Sequence, residues 1–495
     1  MSLKVFINHH LVPEIQVAME KWSIRGCAIV VTQGREEEIV MFGYRDRTNL
    51  VTSETLFALA SCSKLVTVLA ILRALSKQNL SINTTVKSII PEFKLYDSFA
   101  ECQCTIEDIL CHRTGVPGYD HLWNPSYSIH TLIERLGQLK PTAGLRERHQ
   151  YNSLMYDLVC LIVERLVQKP FEEYVKEEFF IPLDMKSTTF AHLDEDKEYA
   201  QGNWNRMTLE VEEKSRTMTF GLDRMGERGG IGTGRLWMNG EDTLKWLKAL
   251  PLMPEYSEAI LPRIAVGLAG GLEYSDHAVL YGLGQRISTH RGVLIAEHSG
   301  EIPGFLSRLS RLPEHDVGFA VLTNSDSGGK YLRAFVKCRL IEHFAELDKL
   351  DWLEKIEIVR QEQMLSTRSW LTSVDDITHE HVSEDDPLVG TWMSEGFDTW
   401  HILSSSLMAH LPDMSSLPFI PALYGQPNYV FSPSRVKGKY QACFQWKSYD
   451  TKEIMYGYPF SVQVLDGERI EVIGLMGVGE GMNEEDFGIV FHRMM

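Results

Sequence analysis

Hydrophobic and polar positions divide the chain into two textures. Up to about residue 345, strand-like and helix-like periods are mixed. Residues 24–31 and 38–42 read as the two strands of a hairpin turning at Gln33-Gly34, short apolar runs flanking a glycine turn. Residues 65–75 are apolar on nearly every side, which predicts a buried helix. A second helix is predicted over 154–166, where Leu158, Leu161, Ile162 and Leu166 share a face. Strand-like runs recur at 293–297, 307–311 and 317–322. Helices bracketing an antiparallel sheet imply an α+β fold.

Past that point the pattern changes. Residues 341–364 are amphipathic and charged and read as a closing helix, followed by a polar, acidic linker over 365–386. Short strand-like segments then follow at 399–402, 440–446, 460–465, 469–473 and 487–491, with Asp466-Gly467 as a hairpin turn. Five such strands in so short a stretch predict a small all-β barrel or sandwich. Gly390-Thr391-Trp392 resembles the Gly-x-Trp opening of lipocalin-like barrels. The expected division is 1–345, a helix and linker over 346–386, and a β-barrel over 387–495.

Bulk properties narrow the function classes. A chain of 495 residues exceeds one compact core. A formal charge of −18 argues against nucleic acid as a partner, because phosphate binding needs a basic patch. The first residues lack a basic segment followed by an unbroken apolar run, so no secretory signal is expected, and no stretch is apolar enough to span a bilayer. Eight scattered cysteines then read as free thiols in a reducing compartment, which points to the cytoplasm. Cys102-x-Cys104 near His112 has the wrong gap for a zinc site and lacks a second ligand pair, so no metal is expected.

The strongest chemical feature is Ser61-Cys62-Ser63-Lys64 at the head of the first predicted helix. Positions three apart share a helix face, and the helix N-terminus offers free N–H groups and a positive dipole. A lysine in so apolar a helix is expected to be partly desolvated, which suits it to act as a base. Ser63 sits too close in sequence to share that face. The same four-residue spacing occurs again at Ser434 to Lys437, in a polar turn with no buried helix behind it, as a chance match. Tyr151-Asn152-Ser153 begins the second predicted helix, where a phenol could relay the serine proton or simply be a half-buried tyrosine. His298-Ser299-Gly300 closes the strand predicted over 293–297, with His298 either part of a site or structural, and Gly300 letting a substrate lie against the strand edge.

These elements, in this order, resemble the serine β-lactamase and penicillin-binding-protein superfamily, in its class C-like branch of esterases, D-aminopeptidases and lovastatin-type acyltransferases. Residues 57–64 are similar to the nucleophile segment. Thr105 to Pro117 is similar to a Leu-x-His-x-Ser/Thr-Gly-hydrophobe-Pro segment. Gly229-Gly230-Ile231-Gly232-Thr233, Tyr281-Gly282-Leu283-Gly284 and His298 to Phe305 are similar to later signatures, so that the resemblance spans about residues 10–345. It implies an acyl-enzyme on Ser61, a base network of Lys64 and Tyr151, and an oxyanion hole from the backbone N–H groups of Ser61 and Glu301. No cofactor is implied, and the partner is a small-molecule ester, lactone or amide. Hydrolysis is expected first, acyl transfer in natural-product biosynthesis second and D-amino-acid peptidase activity third, with a catalytically dead binding protein as the reading from another class. Two departures matter. Ser153 stands where the family's Tyr-x-Asn has asparagine, and His298-Ser-Gly300 stands where β-lactamases have Lys-Thr-Gly, which weakens the expectation of a true β-lactamase. Aromatic residues over 116–127 are candidate walls of an acyl pocket or the packing of a surface loop, and Phe305 is a candidate wall or a core residue.

Overall fold

The structure is a computed structural model. It describes residues 2–119, 129–190, 198–203, 230–268, 278–302, 304–325, 327–377, 387–388, 390–394, 400–402, 408–410, 427–433, 439–447, 454–466, 468–473 and 488–494. Its centre is an antiparallel sheet of eight strands: β1 (Gly26–Gln33), β2 (Glu36–Gly43), β3 (Ile264–Leu268), β4 (Ala278–Tyr281), β5 (Arg286–His290), β6 (Val293–Ile302), β7 (Phe305–Leu312) and β8 (Val317–Thr323). They lie in the order β2-β1-β8-β7-β6-β5-β4-β3, so the two ends of this region meet where β1 pairs with β8. The predicted first hairpin is present, with Gly34 at φ +56°, a conformation glycine adopts without Cβ strain. β6 is longer than the sequence suggested. Histidine, serine and glycine interrupt its apolar pattern, yet the ladder with β7 continues through His298, Ser299 and Gly300 to Ile302.

Each face of the sheet carries its own core. One packs Ala28, Val30, Ala320 and Leu322 under helices α2 (Ser63–Lys77) and α3 (Leu154–Val167). The other packs Ile29, Val31, Ile295, Phe319 and Val321 under α1 (Val12–Lys21) and α5 (Ser327–Phe344). Between them in sequence, α4 (Gly240–Ala249) starts at Asn239, whose side chain accepts from the Asp242 N–H. α2 is buried along most of its length, as its unbroken apolar run predicts. The expected closing helix over 341–364 is instead the end of α5, a break, and a longer helix α6 (Trp352–Ile377). The break is marked by Glu346 at φ +53°, and Glu342 fastens it by accepting from the Leu350 N–H and the Trp352 Nε1–H. α6 also occupies the first half of the stretch expected to be linker; residues 378–386 lie outside the described residues.

Beyond them, eight short strands pair antiparallel in chain order and the last returns to the first: β9 (Gly390–Met393), β10 (Trp400–Ile402), β11 (Met408–His410), β12 (Pro427–Pro433), β13 (Lys439–Lys447), β14 (Ile454–Asp466), β15 (Arg469–Ile473) and β16 (Gly488–Arg493). Trp392 of β9 is fully buried and donates to the Leu388 carbonyl. Residues 434–437 and Gly467 lie outside the described residues.

Candidate active site

The site forms where the N-terminus of α2 meets the end of β6. A two-residue ladder, Phe57–Ala58 against Trp237–Met238, delivers the chain to Ala60. Ala60 adopts φ +45°, a left-handed conformation that costs a non-glycine residue about 1–2 kcal/mol. The Ser63 Oγ bonds back to the Ala60 carbonyl at 2.7 Å and holds this kink. Ser63 is thereby committed to the backbone, and Ser61 is left in a short 3₁₀ turn, half-exposed, just ahead of α2.

One turn on, Lys64 is fully buried. Its Nζ lies 3.2 Å from the Ser61 Oγ, 3.4 Å from the Ser153 Oγ and 3.3 Å from the Thr233 carbonyl, and it also bonds the Thr233 Oγ1. The same Nζ sits 4.8 Å from the centre of the Tyr151 ring and 5.3 Å from that of Tyr156. Ser61 and Lys64 are thus one turn apart, as their spacing predicts, and Tyr151 and Ser153 join them from a distant segment. Tyr151 is not on a helix, however: α3 begins at Leu154, and Tyr151 lies in the strap before it. Asn152 fixes that strap. Its N–H donates to the His112 Nδ1 at 3.1 Å, and its side-chain amide donates to the Pro117 carbonyl at 2.7 Å.

His298 and Gly300 reach the same place from β6. The His298 Nδ1 lies 2.6 Å from the Ser299 carbonyl, which can only accept, so Nδ1 carries the proton. Nε2 then accepts from the Tyr281 hydroxyl at 3.0 Å. Burial, then the charges of Arg286 and Lys64, hold the imidazole of His298 well below the usual histidine range, so it is neutral at physiological pH. His112 is held low in the same way, by burial first and then by His149 and Lys64. Gly300 has no room for a side chain: a Cβ there would lie 2.0 Å from the Leu59 carbonyl oxygen and 2.3 Å from the Ser307 Oγ. The missing side chain lets β6 close onto the turn bearing Ser61. Cys62, beside the nucleophile candidate, is buried with its thiol pushed up to about 11 by desolvation, and it bonds the His298 carbonyl at 3.1 Å.

The register orients Glu301. β6 and β7 are joined by two residues between the paired Ile302 and Phe305. The pair closing such a hairpin exchanges both hydrogen bonds, and bonded and non-bonded pairs alternate along the ladder. Gly300 and Ser307 thus form a bonded pair, and the N–H and C=O of Ser299 and Glu301 point away from β7. On that other side, pairing with β5 ends at Glu297 and Arg286. Among the described residues no strand covers this edge beyond Glu297, so the Glu301 N–H faces an uncovered edge.

Several members of the site escaped the sequence reading. Thr233, Tyr281 and His112 sit inside motifs noted for their resemblance, which carried the signal without assigning a role. His149, 5.0 Å ring to ring from Tyr281, and Arg286, 5.8 Å from the Tyr151 ring centre, had no local signature. Phe305 is fully buried, edge-on to Trp237 at 5.3 Å, and belongs to the core rather than to a pocket wall. Tyr119 is buried, with its hydroxyl bonded to the Lys140 carbonyl, whereas residues 120–127 of that aromatic loop, Gly229 and Pro303 lie outside the described residues. Among the described residues no cluster of histidine, cysteine and carboxylate side chains could hold a metal ion, and no helix is long and apolar enough to cross a membrane.

A serine hydroxyl, a buried amine and a tyrosine ring thus lie together beside an open strand edge. The sequence profile of the β-lactamase family matches residues 14–335, and the chain belongs to that family. It is 27% identical over 386 residues to a protein named unguisins hydrolase ungD' from Aspergillus campestris, covering 72% of this chain and 70% of that one. Protein flp of Staphylococcus aureus (strain MW2) is 24% identical over 332 residues, covering 63% of this chain and 62% of that one. Among solved structures, an octameric penicillin-binding protein homologue from Pyrococcus abyssi superposes with a TM-score of 0.58 at 18% identity, covering 97% of this chain and 99% of that one. D-amino acid amidase from Ochrobactrum anthropi gives 0.56 at 18% identity, covering 67% of this chain and 99% of that one.

Proposed function

We propose that the protein is a hydrolase that takes an acyl group from an amide or ester of a small molecule onto Ser61 and passes it to water. The observation that carries this reading is the buried Lys64 Nζ 3.2 Å from the Ser61 Oγ. As Ser61 attacks the carbonyl carbon, its proton passes to the network of Lys64 and Tyr151. The carbonyl oxygen becomes an oxyanion held by the backbone N–H groups of Ser61 and Glu301, donors of a kind that contribute ~3–4 kcal/mol each. The same network returns the proton to the leaving amine or alcohol as the tetrahedral intermediate collapses. Water repeats the sequence on the acyl-serine. Ser153 bonds Lys64 and orients the amine, while the His298 ring, bonded to Tyr281, lies 6.1 Å from the Tyr151 ring.

The open edge of β6 favours amides over plain esters, because the Glu301 carbonyl, which points away from β7, can accept an N–H group from a substrate laid along it. A structural neighbour named as a D-amino acid amidase points the same way, and a relative named as an unguisins hydrolase supports hydrolysis. An acyl acceptor other than water would turn the same intermediate to acyl transfer, as in natural-product biosynthesis. We read the strand ladder of residues 390–493 as a lipocalin-like domain, which Trp392 supports by its burial at the opening strand. Free cysteines at seven positions among the described residues favour a reducing, cytoplasmic setting.

The test is covalent labelling. Fluorophosphonate, or p-nitrophenyl acetate followed by mass spectrometry, is expected to modify Ser61 and to leave the Ser61→Ala protein unmodified. Label on another residue would overturn the assignment. Panels of D- and L-amino acid amides, with and without acceptor alcohols, then separate amidase from transferase.

A further inference from the structure

The proposed oxyanion donor, the Glu301 N–H, belongs to the peptide whose carbonyl is that of Gly300. That carbonyl faces β7, where Ser307 is its ladder partner. It has a second donor. Arg333, on α5 against the far face of the sheet, is 5% exposed and its Nη1 donates to the Gly300 carbonyl oxygen at 3.5 Å. Its other terminal nitrogen lies 3.8 Å from a carboxylate oxygen of Glu301, a side chain 70% exposed and so well screened by water.

We infer that Arg333 is a positioning residue for the acylation step: its buried cation polarises the Gly300–Glu301 peptide and so strengthens the Glu301 N–H as an oxyanion donor. The inference rests on the reading of Ser61 as the acylated nucleophile. The physical link is amide resonance. Drawing electron density toward the carbonyl oxygen raises the double-bond character of C–N and the positive charge on N–H. Hydrogen bonds chained through one peptide reinforce each other by about 10–30% per bond. The charge acts where a neutral ladder donor is already present, in a buried setting where it is little screened. It also clamps the peptide from the side opposite the substrate, so the donor keeps its direction when the edge is empty.

The test compares wild type, Arg333→Met and Arg333→Lys by two readouts. The first is the infrared stretch of a ¹³C-labelled ester carbonyl in the acyl-enzyme formed with p-nitrophenyl pivalate, which reports how strongly the oxyanion hole pulls on that oxygen. The second is the split between kcat and KM for p-nitrophenyl acetate. Arg333→Met is expected to move the stretch to higher wavenumber and to lower kcat about three- to tenfold with KM unchanged, and Arg333→Lys to recover part of both. A folded Arg333→Met protein with the wild-type stretch and kcat would overturn the inference. If Arg333→Met does not fold, the neutral, shorter but polar Arg333→Gln takes its place in the same comparison. Failure of the underlying reading looks different: wild type itself would then carry no acyl group on Ser61.

Discussion

Strand β6 serves two environments with alternate residues, and they solve the problem of buried polarity differently. On the far face, Glu297 is fully buried, its carboxylate 3.1 Å from the Lys337 Nζ, 3.6 Å from an Arg308 nitrogen and 3.0 Å from the Ser310 Oγ. There, charge is matched with charge beneath α5. On the near face, His298 and Gly300 meet Ser61, Lys64, Tyr151 and Tyr281. The histidine is kept neutral, and the contacts of the lysine amine described above are to hydroxyls, a carbonyl and aromatic rings. An ion cluster locks a structure, because each charge is costly to separate. A centre built from neutral donors and acceptors around one amine can pass a proton without first breaking an ion pair. One strand thus serves as a fixed wall on one side and a working surface on the other.

Substitutions can break this comparison, beginning with the largest effect. Ser61→Ala should lower turnover of an activated ester by at least about a thousandfold, read as loss of the acyl-enzyme burst, with the melting temperature nearly unchanged. Glu297→Gln strands the buried Lys337 and Arg308 cations and should cost about 3–5 kcal/mol in urea unfolding, with activity per folded molecule close to wild type. A stability loss below about 1 kcal/mol would show that the far-face cluster is not a lock. Gly300→Ala forces a methyl group against the Leu59 carbonyl, which is backbone and cannot swing aside. It should destabilise by about 1–3 kcal/mol, and, unlike Glu297→Gln, it should also slow acylation in stopped-flow measurements, because β6 is pushed off the Ser61 turn.

The smallest effect is on pH dependence. His112 and His298 have folded-state pKa values depressed well below the ordinary 6.5. The unfolded chain therefore binds more protons, so their contribution to stability is present above about pH 6.5 and is lost as pH falls below it. Denaturation midpoints should drop between pH 7.5 and 5.5, and His298→Asn should flatten that drop. An equal slope in the variant would place the acid sensitivity elsewhere.

Much of this was legible in the residues themselves. The helix bearing Lys64 declared itself by an apolar run on all sides, and the spacing of Ser61 and Lys64 put their side chains one turn apart. The hairpin of β1 and β2 followed from its turn. What stayed hidden depends on contacts distant in sequence. Tyr151 was assigned to a helix start because the apolar period begins just after it, whereas Asn152, bonded to His112 and Pro117, holds it in a strap. His298-Ser299-Gly300 was read as closing the strand, but how far β6 runs was hidden, because polar residues break a strand pattern even where a neighbouring strand supplies the hydrogen bonds. The break after α5 was missed because charged residues run on through it, and the side chain of Glu342 caps it only after the chain has turned back.

The sequence alone determined which groups could do chemistry, because the helical period places residues three apart on one face and because a buried apolar run leaves few solvent-facing options. It also determined that two textures, mixed and strand-rich, share one chain. Only the tertiary structure decided that the ring of Tyr151 lies beside the amine of Lys64, that Gly300 is small so that a strand can touch a helix turn, and that the Glu301 N–H looks out on an open edge. Those facts arise from strand register and from close approach between segments far apart in sequence, and no local pattern encodes a distance of that kind.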